Sequence, residues 1–350
     1  MSTASQPPPT KSPWSYYYFS IAVSALCVVA GWFIGGAPTA FIVAVLIVLE
    51  TSLSLDNAVV NAKILENWDD KWRRIFLRWG ILIAVFGMRL LFPIVIVCVS
   101  TGLGPIEVLR MAVYDQTEYA RHMSEAHHQI AGFGGAFLLM VALGFFFGEK
   151  HVHWMEWAET RLTNFGQIEA CAAAVTLTAL LIAKSYVVPE RQAEFFFAGA
   201  WGIVTFVVAH GLGTLVGGAE EDDAKASTSS SAPFIKAGIA GFFYIEILDA
   251  SFSFDGVIGA FVLTTYLPVI MLGLGAGAFF VRSFTIHLVE AGTLSEYRYL
   301  EHGAFYAILV LAAIMLSPEV HLPEWIVGLS GAAILGAALL HSTLVNRREA

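Results

Sequence analysis

Charge is scarce in this chain. Asp, Glu, Lys and Arg make up 13% of its 350 residues against 57% hydrophobic ones, and the mean hydropathy is +0.70. Two or three soluble domains of that total length would lack the polar surface to cover them, so the composition indicates an integral membrane protein. Positive charge is scarcer still. With 19 Lys and Arg against 28 Asp and Glu, a formal net charge of −9 and no basic run able to track a phosphate backbone, nucleic acid is excluded as a partner. The three cysteines, Cys27, Cys98 and Cys171, lie far apart in apolar segments. They support neither a disulfide framework nor a cysteine metal site, and they read as space-filling.

What the chain does have is apolar windows of membrane-spanning length. Ten are expected, at 17–35, 39–61, 75–100, 129–148, 168–184, 194–216, 234–262, 267–290, 303–317 and 324–344; the fifth and ninth are short, so nine is the alternative. The fold class is therefore all-α, a polytopic helical membrane protein. Residues 1–16 are polar and proline-rich and read as a disordered tail before a retained first helix, with Trp14 to Tyr18 suited to an interfacial aromatic belt. Residues 101–128 form a long connection, whose histidine-bearing part at 122–128, with His122, His127 and His128, reads as a solvated loop. The acidic, serine-rich stretch 217–233 reads as a flexible linker between a half at 17–216 and a second at 234–344, with the repeat boundary near 190–233 and a short tail at 345–350. Lys and Arg concentrate in the loops that share a side with both termini, which places the termini in the cytoplasm, the membrane being a bacterial inner (plasma) membrane.

One stretch breaks the apolar pattern and then recurs. Residues 50–57 read ETSLSLDN and residues 249–256 read DASFSFDG: an acid, then Asp six positions on, with serines at identical offsets, Ser52 and Ser54, Ser251 and Ser253. Each is followed in the next span by an arginine, Arg89 or Arg282, preceded nine positions earlier by a glycine, Gly80 or Gly273. The copies lie on the second and seventh spans, an odd number apart, and so cross the membrane in opposite directions. That is the inverted repeat on which many secondary transporters build a midplane site.

At about 100° per residue, Glu50, Ser54 and Asn57 share one helix face while Ser52 and Asp56 lie about 120° away. For Glu50 and Asp56 to converge, the helix must break between them, and Gly256 and Gly259 would ease a matching break in the second copy. Each ionised acid near the bilayer centre costs about 2.5–3.5 kcal/mol, so Glu50, Asp56, Glu246, Asp249 and Asp255 demand neutralisation, for which the spans supply only two arginines. A bound divalent cation, protonation or both must supply the rest. Carboxylate, amide and hydroxyl oxygens favour Mn2+, Ca2+ or Mg2+ over zinc or copper. Carboxylates tied to Arg89 and Arg282 as packing glue are the bland alternative, disfavoured because glue rarely needs two symmetric sets. His210, and His287 with Glu290, are candidates for a proton relay, although a hydrogen-bonded packing histidine is commoner. The stretch 148–159, with His151 and His153, reads first as a snorkelling helix end and second as a patch admitting metal.

The paired motifs, the EKHVHW stretch at 149–154 and the hydropathy resemble the TerC-like integral membrane proteins, specifically their DUF475 branch, within the LysE-type transporter superfamily. The resemblance implies divalent metal efflux, chiefly of manganese, with tellurium (tellurite) resistance in some members and the motif acids as ligands. Carried over by motif, these are Glu50, Asp56 and Asn57 with Asp249 and Asp255; Gly256 replaces the second amide, and Glu246 would compensate.

The expectation is thus a transporter rather than an enzyme, moving Mn2+ as substrate out of the cytoplasm, with Ca2+ or Mg2+ as alternatives and no organic cofactor. Exporting two charges against about 100 mV costs roughly 4.6 kcal/mol, so proton antiport is the economical coupling. Its partners would be the metal ion and the lipid bilayer, with a homo-oligomer or a metal-receiving protein as further options. The rivals are an intramembrane aspartyl protease using Asp56 and Asp255 as a proton-sharing dyad and a metal-binding assembly factor that does not transport.

Overall fold

The computed structural model describes residues 12–80, 83, 87, 89, 91–150, 152–164, 170–217, 237–291, 293–320 and 322–349, with the backbone alone at 212–217, 254, 255, 293, 295, 324 and 349. The described residues form helices and no strand. In chain order they are α1 Tyr18–Leu53, α2 Leu55–Glu66, α3 Asp70–Ile75, α4 Phe92–Thr101, α5 Pro105–Tyr114, α6 Gln116–Glu125, α7 His127–Phe147, α8 Glu156–Thr163, α9 Cys171–Lys184, α10 Gln192–Gly217, α11 Ile239–Leu263, α12 Leu267–Ala291, α13 Thr293–Glu296, α14 Leu300–Met315 and α15 Glu324–Glu349. The expected linker at 217–233 lies, beyond Gly217, outside the described residues. Of the expected tail, residues 13–16 form a short 3-10 turn, Pro13–Tyr16.

Five helical stretches are long and apolar enough to cross a membrane, among them His127–Phe147 and Leu267–Ala291. The all-α, polytopic reading therefore stands. α11 has the length, 25 residues, but carries Glu246, Asp249 and Asp255 within it. The expected short spans are indeed short: α9 has 14 residues and α14 has 16.

The 36 residues of α1 are two antiparallel legs. The backbone leaves the helical region at Gly35 (φ −150°, ψ 23°) and Gly36 (φ 71°, ψ −159°), with Pro38 just beyond; only glycine takes the second conformation without strain. A methyl group placed on Gly31 would meet Val43 Cγ2 at 2.9 Å, although twelve residues of straight helix would separate the two by about 18 Å. Legs 18–34 and 37–53 thus fold back on each other, as the first two expected spans require.

α12 packs against both legs. Methyl groups on its Gly273 and Gly277 would collide with Leu46 and Glu50 on the second leg. On the first leg, Ser20 Oγ donates to Phe279 O at 2.7 Å and Tyr17 Oη lies 3.0 Å from His287 Nδ1. α11 runs antiparallel to leg 37–53 and α2, since Gly256 meets Glu50 and Asp249 meets Asn61. The two motif copies therefore cross in opposite directions. Around them, α7 is the buried centre of a second group with α9, α10 and α14. Its Gly132 sits against the carbonyl of Phe195 and Gly202 of α10 against that of Phe133, a close approach that small residues permit.

One end of the bundle gathers the start of α1, the end of α12, the start of α14 and the end of α15. Lys63 pairs with Glu301 at 3.1 Å, and Asn346 Nδ2 donates to Glu296 O at 2.8 Å. The long connection expected at 101–128 is largely helical, and its part at 122–128 lies in α6 and α7 rather than in a solvated loop. α4 and α5 meet at a bend of 113°, and α5 and α6 bury Val108, Ala112, Tyr119 and Met123 against Leu46, Val97 and Leu274. The i, i+4 spacing within each pair gives both helices an apolar stripe.

Candidate functional site

The first motif breaks where its acids required a break. α1 ends at Leu53, Ser54 sits at ψ 14°, and α2 starts at Leu55. Asn57 N–H then donates to Asp56 Oδ1 at 3.0 Å, placing a carboxylate in the first turn of α2 where the helix dipole favours it. The expected convergence does not follow. Asp56 faces a separate cavity of about 20 Å3 bounded by Leu53, Phe252, Ala307, Val327 and Gly331, because the break redirects the helix without turning it by the 120° that separates the two faces. The second copy has no break at all: α11 is continuous through Gly256 and Gly259. Its glycine serves close packing instead, since a Cβ at Gly256 would stand 3.0 Å from Glu50 Oε2.

Glu50, Ser54 and Asn57, the three residues on one helix face, line a cavity of about 60 Å3 together with Asn61, Arg89, Asp249, Ser253 and Arg282. The arrangement is reciprocal. The acid of the first copy, Glu50, lies against the eighth position of the second, Gly256, and the acid of the second, Asp249, lies beside the eighth position of the first, Asn57. The longer Glu side chain thus faces glycine, and the shorter Asp side chain faces asparagine. Asp249 Oδ1 also accepts from Asn61 Nδ2 at 2.7 Å. Asn61 was not singled out in the sequence, although it stands four residues after Asn57 on the same helix face, so the signal was present.

Two cations reach this cavity in different ways. Arg89 Nη2 pairs with Glu50 Oε1, both side chains being buried, and Ser54 Oγ donates to the same oxygen at 3.1 Å. Arg282 is not tied to a carboxylate among the described residues; its Nε donates to Leu77 O at 2.8 Å. A glycine is again what admits the neighbouring chain: a Cβ at Gly80 would be 3.2 Å from Glu246 Oε1.

The remaining candidates are dispersed. Glu246 is buried, and neither of its carboxylate oxygens has a hydrogen-bond partner among the described residues, but it does not line the cavity. The side chain of Asp255 lies outside the described residues, as does the protease dyad that depends on it. Ser52 and Ser251 donate back to Val48 O and Ile247 O of their own helices, so neither reaches the site. His210 stacks on Phe206, and His287 is clasped by Tyr16 and Tyr17; neither these nor Glu290, near the end of α12, border the cavity. Among the described residues no group of three or more His, Cys, Asp or Glu is gathered as a metal site. The six named ligands therefore do not form one constellation here: Glu50, Asn57 and Asp249 are brought together, Asp56 stands apart, and Glu246 lies within electrostatic reach of Asp249 without lining the cavity.

Within the stretch 148–159, Gly148 and Glu159 are buried while Glu149, Met155, Glu156 and Trp157 are exposed, and His151 lies outside the described residues. Glu159 is fully buried and accepts from the Met155 and Trp154 amides at 3.2 and 3.3 Å and from Tyr306 Oη at 3.2 Å. His302 Nε2 lies 3.4 Å from its other oxygen. Burial by itself would push the Glu159 carboxyl up; the hydrogen bond and charge of His302, the Met155 amide and Lys150 outweigh it and hold the group below its ordinary 4.5. The folded state thus binds this proton less readily than the unfolded chain, so Glu159 contributes stability above about pH 4.5 that is lost as pH falls through its depressed value. Thermal unfolding of detergent-solubilised protein should show a steeper loss below pH 4.5 for wild type than for Glu159→Gln; parallel curves would refute this.

Residues 55–349 match the family model described as "Protein of unknown function (DUF475)". No curated protein and no solved structure matches the chain. The match begins inside the first motif, at Leu55, and takes in Asp56, Asn57 and the whole second copy. An all-helical membrane chain built around two antiparallel acidic motifs, it belongs to the DUF475 family.

Proposed function

We propose that this protein is a divalent-cation transporter, with Mn2+ efflux from the cytoplasm the best-supported activity and Ca2+ or Mg2+ as alternative cargoes. The observation that carries the proposal is the reciprocal contact of the two motifs around one cavity, Glu50 against Gly256 and Asp249 against Asn57. Two carboxylates offset the charge of one divalent ion. The Asn57 and Asn61 amides and the Ser54 hydroxyl add hard oxygens of the kind manganese, calcium and magnesium take. A cavity of about 60 Å3 has room for an ion with water still attached. Arg89 then acts as the internal counter-cation, neutralising Glu50 when no metal is bound and yielding it when one is. The likeness of the motifs to those of TerC-like proteins supports the same reading, as does the inverted crossing of the two copies. Lys and Arg in the loops near the polar end of the bundle support cytoplasmic termini and a bacterial inner membrane.

The test is manganese flux in proteoliposomes. Glu50→Gln and Asp249→Asn should each abolish flux, each removing half of the compensating charge, whereas Ser52→Ala should leave it unchanged. Metal that binds in a Glu50-dependent way without crossing would replace the transporter with a binding or assembly factor. Flux indifferent to both acids would end the proposal. An imposed pH gradient that leaves the rate untouched would exclude proton antiport.

A further inference from the structure

We propose that the outer face of the 71–79 stretch binds the headgroup of an anionic phospholipid. Lys71, Arg74 and Arg78 follow one another at three and four residues, which aligns them along one side of a helix. With Ile75 and Trp79 they line a groove of about 340 Å3, and among the described residues no acidic side chain borders it. All three cations are exposed. Their neighbour Arg73 turns aside to pair with Asp70, and Glu66 is taken by Lys63 at 3.4 Å. Arg74 Nε donates to the carbonyl of Asp70 at 3.0 Å, which leaves its terminal amino groups for another acceptor, and among the described residues neither Lys71 nor Arg78 has an ion pair. Three unneutralised cations side by side are a departure in a chain of net charge −9.

The position of the groove identifies the anion. It lies where the polar connection at 66–71 gives way to the apolar run from Ile75, the depth at which headgroups sit. Trp79, 60% exposed, occupies the interfacial level that tryptophan prefers. Basic side chains at this level attract anionic headgroups. Ile75 and Trp79 give the groove an apolar wall, which suits a phosphate carrying acyl chains and offers nothing to a free one. The opposite face of the same stretch, through Phe76, Leu77 and Gly80, borders the central cavity, but the lipid site stands whatever that cavity carries.

Native mass spectrometry of the full chain in detergent, titrated with phosphatidylglycerol or phosphatidylcholine, tests this. Wild type should retain phosphatidylglycerol preferentially. The variant Lys71→Gln/Arg74→Gln/Arg78→Gln should bind it roughly a hundredfold more weakly, each basic group near the membrane surface contributing about fivefold. The single variant Arg78→Gln, a milder change, should lose about fivefold. Removing as many charges elsewhere, by Arg161→Gln/Arg347→Gln/Arg348→Gln, should change nothing. The proposal is overturned if the groove variants bind like wild type, if the distant variant loses as much, or if inorganic phosphate displaces the lipid.

Discussion

Arg89→Met should destabilise the protein by about 3–5 kcal/mol, the cost of leaving a buried carboxylate without its cation. Glu50 and Arg89 are both almost wholly removed from solvent, at 1% and 5% exposure. The pair sits between leg 37–53 and the span after α3 and borders a cavity of only about 60 Å3, where a few waters supply no charge to replace the guanidinium. The double variant Glu50→Gln/Arg89→Met removes both charges and should recover most of the loss, because what destabilises is the unpaired ion rather than the absence of the pair. Equilibrium unfolding in detergent, read as a double-mutant cycle, separates the two. A single variant as stable as wild type would show that Glu50 is neutralised by another group. Divalent metal should restore more stability to Arg89→Met than to wild type, because the ion takes over the role of Arg89 at Glu50.

Gly256→Asn should abolish cation flux while leaving the fold in place. The substitution makes the second motif match the first, and by sequence alone it looks like the restoration of a missing ligand. The packing argues the reverse. A Cβ at position 256 would stand 3.0 Å from Glu50 Oε2 and 3.7 Å from Leu53 Cδ1, so the amide would occupy the space of the carboxylate and push it out of the cavity. The atom displaced is the end of a flexible side chain, which keeps the cost to about 1–3 kcal/mol. Flux should fall by more than tenfold, and shortening the acid with Glu50→Asp in the same chain should return part of it. Flux equal to or above wild type in Gly256→Asn would refute the reciprocal arrangement of Glu and Gly, Asp and Asn.

The local geometry was legible before the fold. A rotation of 100° per residue puts Glu50, Ser54 and Asn57 on one face and Ser52 and Asp56 on others, and the cavity linings follow that division. The crossing of the two copies was legible for a similar reason: an acid, two serines and an aspartate at fixed offsets mark equivalent helices, and an odd number of spans between them reverses one. The break at Ser54 was expected in order to unite Glu50 with Asp56, and it exists without uniting them. The connection expected at 101–128 is helical because its apolar residues repeat at four, a pattern hidden by the surrounding charges.

The sequence by itself determined the membrane class, the all-helical polytopic character, the two motif copies and the face on which each polar side chain stands, because these depend on composition and on the period of a single helix. Only the tertiary structure decided which polar groups meet. Asp249 reaches Asn61, Glu50 reaches Arg89 and the space at Gly256, and Asp56 turns instead toward α14 and α15. Such pairings depend on the offset and depth at which two helices cross, and that offset is set by where glycines let backbones approach. No single helix carries that distance in its own sequence.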